Sequence, residues 1–181
     1  MDIYCFEQVL DCPYEKKTYR YEDKTYNYEE TSIFRKELYG FVETSIKCFD
    51  KEKMFPFGSV DVSVMTNNIQ TEHKCIFENL IVPTQISRRG IGTALMLKVL
   101  DYFKVVKRYY GIKEEMQVSG WLSKADNPNN WNRSLPLYEK VGRLSGLKTL
   151  FVIIDNGYAT ASVEEFLEKV GSSEGRVVYY V

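Results

Sequence analysis

Three stretches of this chain carry residue types able to act on a ligand. In the first, Arg88-Arg89-Gly90-Ile91-Gly92-Thr93 lies between a β-rich apolar run ending at Pro83 and a long amphipathic stretch. Glycines let backbone approach an anion closely, and unpaired N–H groups at a helix start point towards it. The helix dipole and the two arginines act in the same direction. Ser87 to Thr93 can therefore present several N–H groups to a pyrophosphate. The plain alternative is a glycine-rich turn with two solvated arginines. No Gly-Lys-Ser/Thr follows, so this is not a triphosphate loop. Leu95 stands where a dinucleotide fingerprint needs its third glycine, which disfavours a nicotinamide-dependent oxidoreductase.

The second stretch is Leu137-Tyr138-Glu139-Lys140-Val141-Gly142. A tyrosine early in a short helix can point its hydroxyl into a cleft and donate a proton to a leaving group; it can equally pack in the core. The third is Glu78, just before the apolar end of its run. A carboxylate there can take a proton from an amine, directly or through water, if burial raises its pKa. A solvated, outward-facing strand residue is the alternative.

The elements that must hold these residues follow from periodicity. Residues 2 to 10 form a first strand, and Thr18 to Tyr28, alternating tyrosines with polar residues, reads as strand or extended loop. Ile33, Phe34, Leu38, Phe41, Val42, Ile46 and Phe49 recur at a spacing that favours a helix over 33–49, with a strand around Leu38 to Ile46 as the alternative. Gly58 to Met65 and Lys74 to Val82 are strands joined through the turn residues Thr66-Asn67-Asn68. Gly92 to about Tyr110 is helical. Met116 to Leu122 is a strand, and a loop rich in Asn, Asp and Pro runs from Lys124 to Asn132. A short helix over Ser134 to Val141 would have Ser134 as its cap, Pro136 in its first turn and Gly142 as its stop. Thr149 to Ile154 is a strand, Ser162-Val163-Glu164-Glu165 a capping box opening a helix that ends at Gly171, and Arg176 to Val181 a last strand. Strands alternating with helices give α/β architecture.

Length and composition narrow the function classes. At 181 residues the chain is one domain, with 44% hydrophobic and 27% charged residues. A net charge of −1 supplies no basic field for nucleic acid. No apolar run is long enough to span a membrane, and the N-terminus lacks the pattern of a signal peptide. The cysteines at 5, 12, 48 and 75 show neither metal-ligand spacing nor disulfide density, which fits reduced, mostly buried thiols in a cytoplasmic protein. His73 is the single histidine, so a His-based metal cluster is ruled out, and it reads as a strand-end surface residue. The fourteen tyrosines can line a pocket or form strand faces.

Over residues 58 to 143 the chain resembles the GNAT acetyltransferase superfamily. Glu78-Asn79-Leu80-Ile81-Val82, followed by Gly90-Ile91-Gly92-Thr93-Ala94-Leu95, is similar to that family's acetyl-coenzyme A segment. Leu137-Tyr138-Glu139-Lys140-Val141-Gly142 is similar to its Leu-Tyr-x-Lys-x-Gly-Phe motif. The resemblance implies a GNAT acyl-CoA N-acyltransferase fold: a mixed central sheet flanked by helices, in a single domain over 1–181.

By position, the resemblance gives Leu80, Ile81 and Val82 to the pantetheine arm, with one of their N–H groups on the thioester carbonyl. Ser87, Arg88, Arg89, Gly90, Ile91, Gly92 and Thr93 would hold the pyrophosphate. Tyr138 would be the general acid, Glu78 the candidate base and Asn132 the pantetheine-binding Asn. Ser87 stands where the family has Arg or Gln, Arg143 where it has Phe, and Trp131 where its Asn usually lies, seven residues before the tyrosine.

The implied activity is acetyl transfer from acetyl-CoA, as co-substrate, to an amine-bearing small molecule or peptide, by direct attack in a ternary complex and without a metal. The absence of a well-placed nucleophilic Cys with a partner His argues against a covalent acyl-enzyme. The alternative is a GNAT-fold protein that binds coenzyme A as a sensor or interaction module. Self-association as a homodimer is left open.

Overall fold

Asp23 makes the first reversal among the described residues. Its Oδ1 accepts the N–H groups of Thr25 and Tyr26 at 2.8 and 2.9 Å, and its Oδ2 accepts the Tyr28 hydroxyl at 2.8 Å. This aspartate-centred turn joins β1 (Tyr14–Glu22) to β2 (Tyr26–Arg35), which settles the tyrosine-rich segment as a hairpin. The computed structural model describes residues 14–35, 41–51, 55–66, 73–86, 88–122 and 128–181. The expected strand over 2 to 10, Cys5, Cys12, Ser87, and most of the turn after Thr66 lie outside the described residues.

The chain continues as β3 (Phe41–Asp50), β4 (Pro56–Thr66) and β5 (His73–Ile81), an antiparallel run from β1 to β5. Helix α1 (Ile91–Tyr109) then crosses over to β6 (Gln117–Leu122), which pairs parallel with β5. Next come α2 (Pro128–Ser145), β7 (Lys148–Ile153), β8 (Ala159–Thr160), α3 (Val163–Val170) and β9 (Gly175–Tyr180). The strands make one mixed sheet in the order β1-β2-β3-β4-β5-β6-β9-β7-β8, antiparallel except at β5/β6.

The helices described all lie on one face of the sheet. A Cβ on Gly58 of β4 would meet Leu95 and Ile91 of α1, and strand register carries that face from Val62 to Phe77, Gly120, Val177 and Phe151. On the same face, Gly142 of α2 lies against Thr149 and Tyr179, and Phe166 of α3 lies over Gly175. The core sits in this single interlayer, with Leu95, Met96, Val99, Leu100 and Phe103 of α1 fully buried on Ile46, Val60 and Val62. The opposite face carries alternate residues such as Ser45, Asp61, Ser63, Glu78 and Ser119.

Two expectations fail here. The described residues of 33–49 are not helical: 33–35 end β2 and 41–49 make most of β3, antiparallel from Phe34↔Val42 to Asn27↔Phe49. Val42, Thr44, Ile46 and Cys48 point to the core at period two. Thr44 looks out of place in such a stripe because its hydroxyl is satisfied there, by Ser32 at 2.8 Å and Tyr102 at 3.0 Å.

The short helix from Ser134 is also wrong at both ends. Helix α2 begins at Pro128, so Ser134 is an interior residue rather than a cap, and Pro136 lies inside the helix. Gly142 is interior too. The helix stops at Gly146 (φ 66°), where Leu147 N–H bonds Gly142 O at 3.1 Å and Gly146 N–H bonds Arg143 O at 3.3 Å, a left-handed cap. The capping box of α3 is half present. Ser162 Oγ accepts the Glu165 N–H at 3.2 Å, but the Glu165 carboxylate turns to Thr160, Tyr158 and Lys169.

Candidate functional site

The site begins with an irregularity in β5. Between Asp61↔Glu78 and Ser59↔Ile81, β5 advances one residue more than β4, a β-bulge. Asn79 takes the left-handed conformation this requires (φ 53°), and its Nδ2 donates to Asp61 Oδ2 at 3.1 Å. The parallel ladder to β6 ends just before, at Phe77↔Gly120. Beyond it the two strands diverge. Among the described residues no strand pairs with the β6-facing edge of Leu80, Ile81 and Val82.

Gly120 marks the fork. A Cβ there would fall within the ring of Phe77, so only glycine lets that ring lie flat against β6. Phe77 in turn packs on Tyr138 at 5.7 Å between ring centroids and on Tyr179 at 6.2 Å. The Tyr179 hydroxyl donates to the Tyr138 carbonyl at 2.9 Å, which ties α2 to β9 beneath the fork. Tyr138 is thus both a core residue, 7% exposed, and a wall of the cleft.

At the other end lies the start of α1. Gly90 is its N-terminal boundary residue at φ 81°, with no side chain capping the helix. The first helical bond runs from Ala94 N to Gly90 O at 2.9 Å, so the N–H groups of Ile91, Gly92 and Thr93 precede the helical ladder. Arg88 is held at φ 71°, a strain of about 1 kcal/mol or more for a residue with a Cβ. The loop is anchored from an unexpected direction: the Tyr26 hydroxyl donates to the Arg89 carbonyl at 2.8 Å. At Gly92 an added Cβ would stand 3.0 Å from Leu137 Cδ1, so this glycine sets how closely α1 and α2 approach.

A cleft of about 910 Å³ joins these parts. Its lining includes Glu78, Leu80, Ile81, Val82, Arg88, Gly90, Ile91, Gly92, Thr93, Asn132 and Tyr138. Arg89 does not line it; its side chain is exposed and its backbone serves as the tether to Tyr26. Ser87 lies outside the described residues. Glu78 is exposed at the rim rather than buried. Asn132 lies in the second turn of α2, not in a loop, and Trp131 beside it both packs on Phe166 at 5.7 Å and lines the cleft.

Lining residues that a reading of the sequence does not single out include Trp121, Arg133 and Phe77, while Leu137 and Lys140 of the tyrosine motif line the cleft beside Tyr138. Arg133 and Lys140 stand seven apart on α2, so with Arg88 they bring three cations to the cleft. Only the continuation of α2 upstream of Ser134 puts Arg133 on that face, and the Asn-rich composition concealed it.

Cys48 and Cys75 are free and buried, and burial pushes each thiol up to about 12, with Asp23 adding to the effect at Cys48. Thiols so protonated are poor nucleophiles. Among the described residues, no group of three or more His, Cys, Asp or Glu is placed to hold a metal ion. No described helix is long and apolar enough to cross a membrane.

No protein-family model matches the chain, and no curated protein matches it. Among solved structures, the chain is similar to the crystal structure of Arabidopsis thaliana NAA60 in complex with a bisubstrate analogue, at 16% identity, covering 77% of this chain and 76% of that one, with a TM-score of 0.39.

Proposed function

We propose that this protein is an acyl-CoA-dependent N-acetyltransferase that moves an acetyl group from acetyl-CoA to an amine. The observation that carries the reading is the fork between β5 and β6. One cleft there brings together a strand edge with no partner strand among the described residues, the start of α1 and Tyr138 of α2. The fit of a pyrophosphate rests on backbone. Gly90 has open space around its missing Cβ, three N–H groups precede the helical ladder, and Arg88 lines the same end. Arg133 and Lys140 add positive charge along α2.

In this reading the exposed edge of Leu80 to Val82 hydrogen-bonds the extended arm of the co-substrate, as a missing strand would. One N–H there polarises the thioester carbonyl. The amine nitrogen forms a bond to the carbonyl carbon, and its proton passes to Glu78 directly or through water. The carbon–sulfur bond breaks, and the departing thiolate takes the proton of the Tyr138 hydroxyl. Asn132 holds the arm from the α2 side. The packing of Tyr138 on Phe77 limits its ring to one orientation, which is what a positioned acid needs.

A second reading, coenzyme A binding without transfer, draws on the exposure of Glu78 at the rim, away from the enclosed part of the cleft. Tyr138→Phe separates the two. Transfer predicts normal acetyl-CoA binding with turnover reduced about 100-fold or more. A wild type that binds acetyl-CoA yet releases no CoA thiol with any of a broad panel of amines would favour the second reading.

A further inference from the structure

We infer that the amine accepted here is an arylalkyl or alkyl primary amine, bound between Trp121 and Ile81 on the lip of the cleft that faces away from the described helices. The inference rests on the acetyl-transfer reading and names its acceptor class. Strand register fixes the geometry. The parallel pair Phe77↔Gly120 points at the helices, so the next residues, Glu78 and Trp121, point together to the opposite face at the mouth of the fork. Ile81 pairs with Ser59 and points the same way. Trp121 and Ile81 are each 59% exposed, one on each lip, and both line the cleft. Large apolar side chains set on opposite lips of a reactive cleft are surfaces for an apolar group of the ligand.

Charge decides which end of that ligand enters first. Glu78 lies on the β5 lip with Ile81, one residue beyond the last β5/β6 pair as Trp121 is on β6, and its neighbour on β4 is Asp61, whose carboxylate is held by Asn79 at 3.1 Å. On the other side, Trp121 pairs with Arg176 of β9, which is exposed on the same face. The field across the lip therefore runs from acidic at β4 and β5 to basic at β9. An ammonium group is drawn to Glu78, with the indole face beside it, while the apolar remainder lies along Trp121 and Ile81. On the helix-covered side Gly92, Leu137 and Tyr138 line the part of the cleft assigned to acetyl-CoA, so the acceptor is placed on the opposite side of the fork.

The test uses the whole chain with phenethylamine and methylamine as acceptors. Trp121→Ala should lower kcat/KM for phenethylamine roughly tenfold or more, mostly through KM, and leave methylamine and the Kd for acetyl-CoA nearly unchanged. Trp121→Phe should restore much of the loss. Equal loss for both amines, no loss, or weaker acetyl-CoA binding would overturn the assignment. Binding of phenethylamine is read separately from the indole N–H resonance of Trp121, identified by its absence in Trp121→Phe. If the chain proves unable to bind acetyl-CoA, the transfer reading fails, yet a saturable shift of that resonance still supports the amine site. An unmoved resonance overturns it.

Discussion

The ring of Phe77 occupies the space that a side chain on Gly120 would need, and the same ring carries Tyr138 at 5.7 Å. The fork of the sheet and the proposed acid are thus one packing unit. Gly120→Ala should force Phe77 out of place, lowering stability by about 1–3 kcal/mol. Because Tyr138 leans on Phe77, turnover should fall by more than the loss of folded protein explains. Chemical denaturation and kcat on the folded fraction check both halves.

Gly142 makes a second close approach, this time between α2 and β7. A Cβ there would overlap the Thr149 hydroxyl oxygen. Gly142→Ala should therefore destabilise by about 1–3 kcal/mol even though alanine is the better helix former. Adding Thr149→Ala removes the overlapping oxygen and should recover part of the loss. Strict additivity in the double-mutant cycle would contradict the contact.

The Tyr26 hydroxyl fixes the loop that precedes α1 through the Arg89 carbonyl. Tyr26→Phe removes one hydrogen bond, about 1 kcal/mol, from a loop whose geometry is already strained at Arg88. The expected result is acetyl-CoA binding weakened several-fold, about the same energy, with little change in melting temperature. Unchanged affinity would mean that the loop holds its shape without this tether.

Glu30 predicts a pH dependence. It lies on the helix-covered face between Tyr19 and Ile46, near Tyr102 of α1, and burial raises its carboxyl to about 7 from an ordinary 4.5. Between those values the folded state binds more protons than the unfolded chain, so stability falls as pH rises from about 4.5 through about 7. The cost above that window is roughly 1–3 kcal/mol for a group of partial exposure. Glu30→Gln should flatten the slope of stability against pH in that interval. An unchanged slope would remove Glu30 as its source.

Much of this arrangement is legible in the chain. Helix α1, strands β4 to β7 and β9, and the start of α3 are set by apolar periodicity and by Gly90 and Ser162 at helix starts. Tyr138 shares one cleft with Arg88 and Gly90 to Thr93, though not with Arg89. What stayed hidden has physical causes. The period-two stripe of β3 contains Thr44, a polar residue whose partners Ser32 and Tyr102 come from distant segments. Helix α2 runs through Pro136 and Gly142, which read locally as a start and a stop. Its proline is exposed, and its glycine answers to Thr149 rather than to the helix. The bulge at Asn79 depends on Asp61 across the sheet, and the value of Gly120 depends on Phe77. Such dependencies are long-range, so no local pattern announces them.

The central claim is that the cleft binds acetyl-CoA through its pyrophosphate at the start of α1. Calorimetric titration of the whole chain with acetyl-CoA, and separately with acetyl-pantetheine, which lacks the pyrophosphate and the nucleoside, tests it most directly. The account predicts saturable acetyl-CoA binding and an affinity for acetyl-pantetheine lower by about 100-fold or more, the loss of several charge-assisted hydrogen bonds. No binding of acetyl-CoA, or equal affinity for the two compounds, would contradict it.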